Sequence, residues 1–302
     1  MLLRRITFSG RLCDINDSSN NEKESKQIVK MLIKGFVAVL LDISVALSIA
    51  IFAYFEFMRS VAAPYERGFY CYEIKHLNNP FLPHTVSTRH LLAITLALPF
   101  FLVILVEGIF FHHFRSSETR ILPKYFSAVS HVYLEFILSF TITTFSVEAI
   151  KCCFARLRPH YLSVCQPNWD LIDCSSEDKF IESAYCTSLD SHRIRISRQS
   201  FPSGHSAAAV HFLLFIYYYL SGMVTASRSA LLGRIRMISL FIFIPWSIVV
   251  MITRVTDYWH FPTDVIGGIL LGILPVHFLL RRRFTNPSHI FNNRLVVLPH
   301  GN

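Results

Sequence analysis

Charge is scarce in this chain. Asp, Glu, Lys and Arg make up 16% of its 302 residues, whereas soluble domains carry roughly 25%. That shortage, beside a 52% share of hydrophobic residues, argues against an ordinary soluble domain. Metal-site spacings are missing too. The seven cysteines and fourteen histidines include no Cys-x-x-Cys and no Cys/His ligand pattern, which excludes a zinc-finger or zinc-ribbon class. There is no internal repeat and no low-complexity tract, leaving a single domain with short arms. Nor is a cleavable signal peptide expected, because about thirty polar residues precede the first apolar run.

What the chain has instead is long apolar blocks. Six are expected to span a membrane: Gly35–Tyr54, Leu91–Phe111, Phe126–Ile150, Ser206–Met223, Met237–Ile252 and Val265–Leu280. Most approach the ~20 residues that a helix needs to cross a bilayer. The predicted fold is all-α, a polytopic six-helix transmembrane bundle over residues 31–283. Residues 1–30, with DSSNNEKESK at their centre, read as a disordered cytosolic arm. Residues 284–302 read as a short cytosolic tail.

Basic residues set the expected orientation. They gather in the N-terminal arm (Arg4, Arg5, Arg11, Lys23, Lys26, Lys30, Lys34), after the second span (Arg115, Arg120, Lys124), after the fourth (Arg228, Arg234, Arg236) and after the sixth (Arg281, Arg282, Arg283, Arg294). With six spans all four segments share one side, which should be cytosolic together with both termini. The net charge of +9 then follows from topology. A nucleic-acid partner would want the charge on one folded face with interleaved aromatics, and none is expected. Cys71, Cys165, Cys174 and Cys186 fall in the two long loops on the opposite side. An even set in an oxidising compartment is compatible with two disulfides, and three pairings remain open. The sequon Asn16-Asp17-Ser18 lies in the supposedly cytosolic arm.

Three polar clusters interrupt this pattern on the non-cytosolic side. The first is KCCFARLRP, where Lys151 and Arg158 are seven apart and so share a helix face if the third span continues. Cations here run against the charge bias, beyond ordinary anchoring of a helix end. The second is Pro202-Ser203-Gly204-His205 at the start of the fourth span. A helix N-terminus offers free N–H groups and a positive dipole end for an anion, and His205 is a group that gives or takes a proton near neutral pH. The third is TRVTDYWHFPTD, with Arg254, His260 and Asp264. Asp264 follows His260 by four residues, one helical turn, which suits an orienting bond to an imidazole nitrogen.

Together these residues fit phosphoryl transfer. Two arginines and a lysine trap a dianion, Ser203 and Gly204 add neutral donors, His260 serves as nucleophile, and His205 protonates the leaving oxygen. No carboxylate cluster suited to Mg²⁺ occurs among them, so neither metal nor cofactor is expected. The intramembrane ionisable residues Asp42, Glu107, Glu135, Glu148 and His131 are read mostly as hydrogen-bonding between helices.

The spacings Lys151-x6-Arg158-Pro159, Pro202-Ser203-Gly204-His205 and Arg254-x5-His260-x3-Asp264 resemble the three motifs of the type 2 phosphatidic acid phosphatase superfamily. PYERGFYC, RLRPHYLSVCQP, SFPSGHSA and RVTDYWHFPTDVIGG make the context similar to its lipid phosphate phosphatases, from about Gly35 to Arg283. The resemblance implies six helices, an active site facing lumen or extracellular space, and Mg²⁺-independent hydrolysis of phosphatidate, lysophosphatidate, ceramide 1-phosphate or sphingosine 1-phosphate. By position it makes His260 the nucleophile, Asp264 its orienting partner and His205 the general acid, with Lys151, Arg158, Ser203, Gly204 and Arg254 holding phosphate. The expected partner is thus a lipid phosphate in the bilayer, and a homo-oligomer is compatible with the sequence. Two positions depart from the family pattern: Thr253 replaces a common Ser, and Phe261 replaces a second His after the nucleophile. Rival readings are a phosphatase of soluble sugar phosphates or polyprenyl diphosphates, a transporter, and a catalytically inactive lipid-binding signalling relative.

Overall fold

A computed structural model describes residues 26, 28–48, 51, 66–113, 121–182, 184–286 and 290. Residues 28–48 form helix α1. Five further helices, α2 (Thr88–His113), α3 (Ile121–Phe154), α4 (Gly204–Ser227), α5 (Ala230–Thr256) and α6 (Pro262–Thr285), are long and apolar enough to cross a bilayer. The chain is an all-α, multi-pass membrane protein. The predicted first span is helical over 35–48, and most of its remainder lies outside the described residues, so five helices rather than six meet the length and composition test among those described. Most of the N-terminal arm, with its sequon, and most of the tail also lie outside the described residues.

The helices overrun the predicted spans because polar residues continue and cap them beyond the apolar runs. Ser229 caps α5 eight residues before Met237, its hydroxyl accepting from Leu232 N–H. Pro262 opens α6 at a position where its missing N–H costs nothing.

Helix α4 is the central element and packs on α2, α3, α5 and α6. Phe212, Phe215, Ile216, Tyr219, Leu220 and Met223 are wholly buried along it, as expected for a helix apolar all round. Apolar surface is instead exposed on α5, at Met237, Ile238, Phe241 and Ile242, where lipid would cover it. Polar residues join the helices within the bundle. Ser130 Oγ donates to Asp42 Oδ2 at 2.9 Å, Tyr219 OH donates to Glu107 Oε1 at 3.1 Å, and Arg283 pairs with Glu135. His131 bonds the Ser127 carbonyl on its own helix instead. Glu148 also pairs on its own helix, with Lys151 at 2.7 Å.

Gly268 and Gly272 set how closely α6 approaches α4. A Cβ at Gly268 would lie 2.3 Å from the Ser203 carbonyl oxygen, and one at Gly272 would lie 2.5 Å from that of Ala207. Small residues four apart give this backbone contact, which lipid-embedded helices use for adhesion. Replacing Gly272 by leucine should therefore cost about 1–3 kcal/mol by overpacking, read as a lower unfolding midpoint in detergent. Gly233→Ala on α5, where no described residue lies within 4 Å of the new Cβ, should leave the midpoint unchanged or raise it.

The C-terminal ends of α3 and α5 and the N-terminal ends of α4 and α6 meet at one end of the bundle. Arg228, Arg234, Arg236 and Arg281–Arg283 lie towards the other. The long connections fold into a cap over the first end. Strands β1 (Phe69–Tyr70) and β2 (Phe180–Ile181) pair antiparallel with Phe69 opposite Ile181. Below them Phe69, Leu157, Tyr161, Leu162 and Ile181 form a small apolar core. Two disulfides, Cys71–Cys174 and Cys165–Cys186, staple the cap and select one of the three open pairings.

Candidate active site

Each cluster is delivered by a helix end. Lys151 sits in the last turn of α3, after which Ala155 breaks the helix with φ 44°. The chain then turns Arg158 inward, where its backbone N–H bonds the Ser197 carbonyl and its guanidinium bonds the Gln199 carbonyl at 3.2 and 3.3 Å. The same guanidinium lies 4.9 Å from the Trp259 ring centroid. At the start of α4, Ser203 Oγ caps the helix by accepting from Ser206, N–H at 3.4 Å and Oγ–H at 2.9 Å. Ser203 N–H donates to the Asp264 carbonyl at 2.9 Å, which ties the starts of α4 and α6 together.

Lys151, Arg158, Gly204, His205, Arg254 and His260 line one cavity of about 490 Å³. Stretches far apart in sequence thus converge on one cavity. Ser203 and Asp264 are fully buried and stand behind the wall rather than in it. Cations dominate the upper part. Arg158 remains charged at neutral pH even though burial pulls its guanidinium down to about 10. Arg254 is wholly buried and reaches Asp257 at 3.3 Å and His84 Nδ1 at 2.9 Å. His205 Nε2 is shielded from solvent and has no hydrogen-bond partner among the described residues.

The imidazole of His260 is held in one tautomer. Its Nδ1 lies 2.6 Å from the Ser200 carbonyl oxygen, an acceptor only, so Nδ1 carries the proton and Nε2 the lone pair. Burial, reinforced by Arg158 and opposed by Asp264, holds the ring down at about 3, so it is neutral at physiological pH. Asp264 Oδ2 lies 3.8 Å from Nδ1, outside hydrogen-bond range. Its direct partners are Ser200 Oγ–H at 2.6 Å, Phe261 N–H at 2.9 Å and Arg156 Nη1 at 2.6 Å. Ser200 therefore links the two, accepting from His260 with its carbonyl and donating to Asp264 with its hydroxyl.

Several residues at the cavity lie outside the set that the three motifs name. Glu148 lines the cavity beside Lys151. Trp259 lines it between His84, at 3.7 Å, and His160, at 4.8 Å between ring centroids. His160 holds the following turn, its Nδ1–H donating to the Tyr258 carbonyl at 2.8 Å. Tyr258 there takes φ 58°, the left-handed region that non-glycine residues rarely adopt. The adjacency of Trp259 to His260 was the one available signal. Phe261 faces away, into a second cavity lined by Phe154, Arg156 and Phe201, with the Arg156 guanidinium 4.6 Å from its ring centroid. The departure from the family pattern at 261 thus removes no side chain from the cationic cavity. Among the described residues no group of three His, Cys, Asp or Glu side chains is arranged to hold a metal.

The sequence model of the PAP2 superfamily matches residues 132–288, just over half of the chain and all three clusters. The chain belongs to the PAP2 superfamily. Among curated proteins this PAP2 chain is similar to phospholipid phosphatase 2 of Mus musculus, 28% identical over 241 residues that cover 80% of this chain and 84% of that protein. It is also similar to phospholipid phosphatase 1 of Rattus norvegicus, 28% identical over 222 residues covering 72% and 75% respectively. Phospholipid phosphatase 2 of Homo sapiens is 28% identical over 241 residues, covering 80% of this chain and 81% of the relative. No solved structure matches the chain.

Proposed function

We propose that this membrane protein hydrolyses lipid phosphate monoesters through a phosphohistidine formed on His260, without a metal. The observation that carries the reading is the shape of the cationic cavity. Below Lys151, Arg158 and Arg254 it continues between α2, α3 and α4 along Leu91, Leu92, Phe140, Val147 and Ala208. A phosphate bound among the cations would place an attached acyl chain in that apolar extension. A sugar would find few partners there, so the extension favours a lipid over a soluble sugar phosphate. The names of the relatives, phospholipid phosphatases, support the same class.

In the proposed reaction His260 Nε2 attacks phosphorus and the bond to the lipid oxygen breaks. His205 gives its proton to that oxygen, releasing the alcohol. The bound dianion supplies the negative charge that a protonated His205 needs in a buried setting. Arg158, Arg254 and Lys151 neutralise the equatorial oxygens, with Gly204 N–H as a neutral donor. Water then attacks the phosphohistidine and gives its proton to His205, freeing inorganic phosphate. Asp264 and Ser203 act from behind, through Ser200 and through the α4 cap. The two disulfides favour an oxidising compartment at this end, with the arginine-rich end and the termini in the cytosol.

The test is phosphate release by the full chain in mixed micelles, with chelator present, from four substrates: phosphatidate, sphingosine 1-phosphate, a polyprenyl diphosphate and a sugar phosphate. Undiminished turnover of the lipid monoesters is expected. Preference for the sugar phosphate, or loss of all turnover on chelation, would overturn the substrate class or the metal-free route respectively.

A further inference from the structure

We propose that His84 is a ligand of the bound phosphate, a neutral imidazole donating through Nε2–H from a loop outside the three clusters. His84 precedes α2 and lies outside residues 132–288, the segment that matches the superfamily. It reaches the cavity because its loop is bound to the site on both sides. Trp259 Nε1–H donates to the Leu82 carbonyl at 3.1 Å. Thr85 donates to Asp257 twice, from its N–H at 2.8 Å and its hydroxyl at 2.9 Å. Asn79 N–H bonds the Pro159 carbonyl at 3.0 Å, beside Arg158. Cys71–Cys174 anchors the loop further upstream. These bonds join residues up to 177 positions apart, so the loop is a fixed wall rather than a loose cover.

The ring orientation decides the chemistry. His84 stacks on Trp259 at 3.7 Å and lies near parallel to His205, 5.7 Å between centroids and 18° between planes. Its Nδ1 lies 2.9 Å from Arg254 Nη1. A guanidinium only donates, so Nδ1 holds the lone pair and the proton of the neutral ring sits on Nε2. Among the described residues Nε2 has no protein partner, and His84 lines the cavity that Arg158, Arg254 and His260 share. Burial, with Arg254 and Arg158 adding to it, keeps this ring down at about 4, so it stays neutral. A neutral donor stabilises phosphate oxygens without competing with His205 as the proton source. Arg254 gains as well, since His84 fixes one arm of its fork.

This assignment rests on the phosphatase reading, and the two fail separately. Orthovanadate binding to the full chain in detergent is measured by calorimetry, alongside phosphatidate turnover, for His84→Ala, His84→Gln and His84→Asn. Glutamine places an N–H near the Nε2 position, whereas asparagine places an acceptor near Nδ1. If Nε2–H donates to phosphate, the alanine and asparagine variants should bind vanadate about ten- to a hundredfold more weakly, with the glutamine variant close to the parent. Asparagine rescuing in place of glutamine would reduce His84 to a positioning residue for Arg254 and overturn the proposal. Parent-like binding by all three variants, or a glutamine variant as weak as alanine, would overturn it as well. Should the parent bind vanadate yet hydrolyse no lipid, the substrate reading falls while the binding series still decides the role of His84.

Discussion

His260→Ala should abolish phosphate release, a loss of at least about 10³-fold in kcat. Among the described residues no other cavity-lining group combines a neutral imidazole, a tautomer fixed by a carbonyl and a lone pair without a protein bond. His205 is the nearest alternative, and its Nε2 likewise has no partner among the described residues. It sits in the first turn of α4, however, and the described residues give it no counterpart to the Ser200–Asp264 relay. Truncating His260 leaves the Ser200 carbonyl buried without its donor, which costs about 1–3 kcal/mol of stability. His260→Asn separates the two effects, because its amide offers a donor near the Nδ1 position but no nucleophilic nitrogen. Both variants should be inactive, with the asparagine variant closer to the parent in unfolding midpoint. Phosphate release by either variant within tenfold of the parent would remove the phosphohistidine from the scheme. A pH–rate profile offers a second check. With its ring held down at about 3, His260 in the free enzyme stays unprotonated above pH 5, so an acid limb there must belong to another group or to the phosphate itself.

The sequence carries the helices and the motif residues clearly, for physical reasons that also define where it stops. Apolar runs near membrane length announce α2 to α6, and their ends blur because Ser229 or Pro262 continues a helix outside the apolar stretch. Lys151, Arg158, His205, Arg254 and His260 are legible since charged and titratable side chains in a membrane protein demand a reason, and their spacing supplies one. Ser200 is not legible because it acts mainly through a backbone carbonyl, which any residue possesses. Asp264 shows the same limit: four-residue spacing brings it to 3.8 Å from His260, yet a turn and a capping bond hand the direct contact to Ser200. The disulfide pairing depends on the register of β1 against β2, two strands of two residues each, too short to leave a periodic signal. His84 is hidden most fully. A single histidine in a proline-containing loop has no periodicity, and long-range bonds such as those to Asp257 and Trp259 carry it into the cavity.

Arg254 is where those hidden contacts and the legible ones join, and its replacement should have the second large effect. Arg254→Met keeps much of the apolar stem and removes the charge. Two observed partners then lose at once, the carboxylate of Asp257 and Nδ1 of His84, together with the phosphate that Arg254 is proposed to hold. Loss of an arginine that neutralises a transferring phosphoryl group is worth about 10³-fold or more in kcat. Asp257 is itself buried, so the unpaired carboxylate should destabilise the protein by about 3 kcal/mol. It would keep its two bonds from Thr85, so the loop bearing His84 should remain docked. Asp257→Asn alone retains an acceptor for Thr85 and should cost little activity. Combining it with Arg254→Met should restore most of the lost stability, because no buried charge is left uncompensated, while turnover stays at the level of the single arginine variant. Such a cycle distinguishes a structural cation from one that works on the substrate. If turnover returned together with stability in the double variant, Arg254 would be an internal counter-ion for Asp257, and Lys151 and Arg158 alone would have to hold the phosphate.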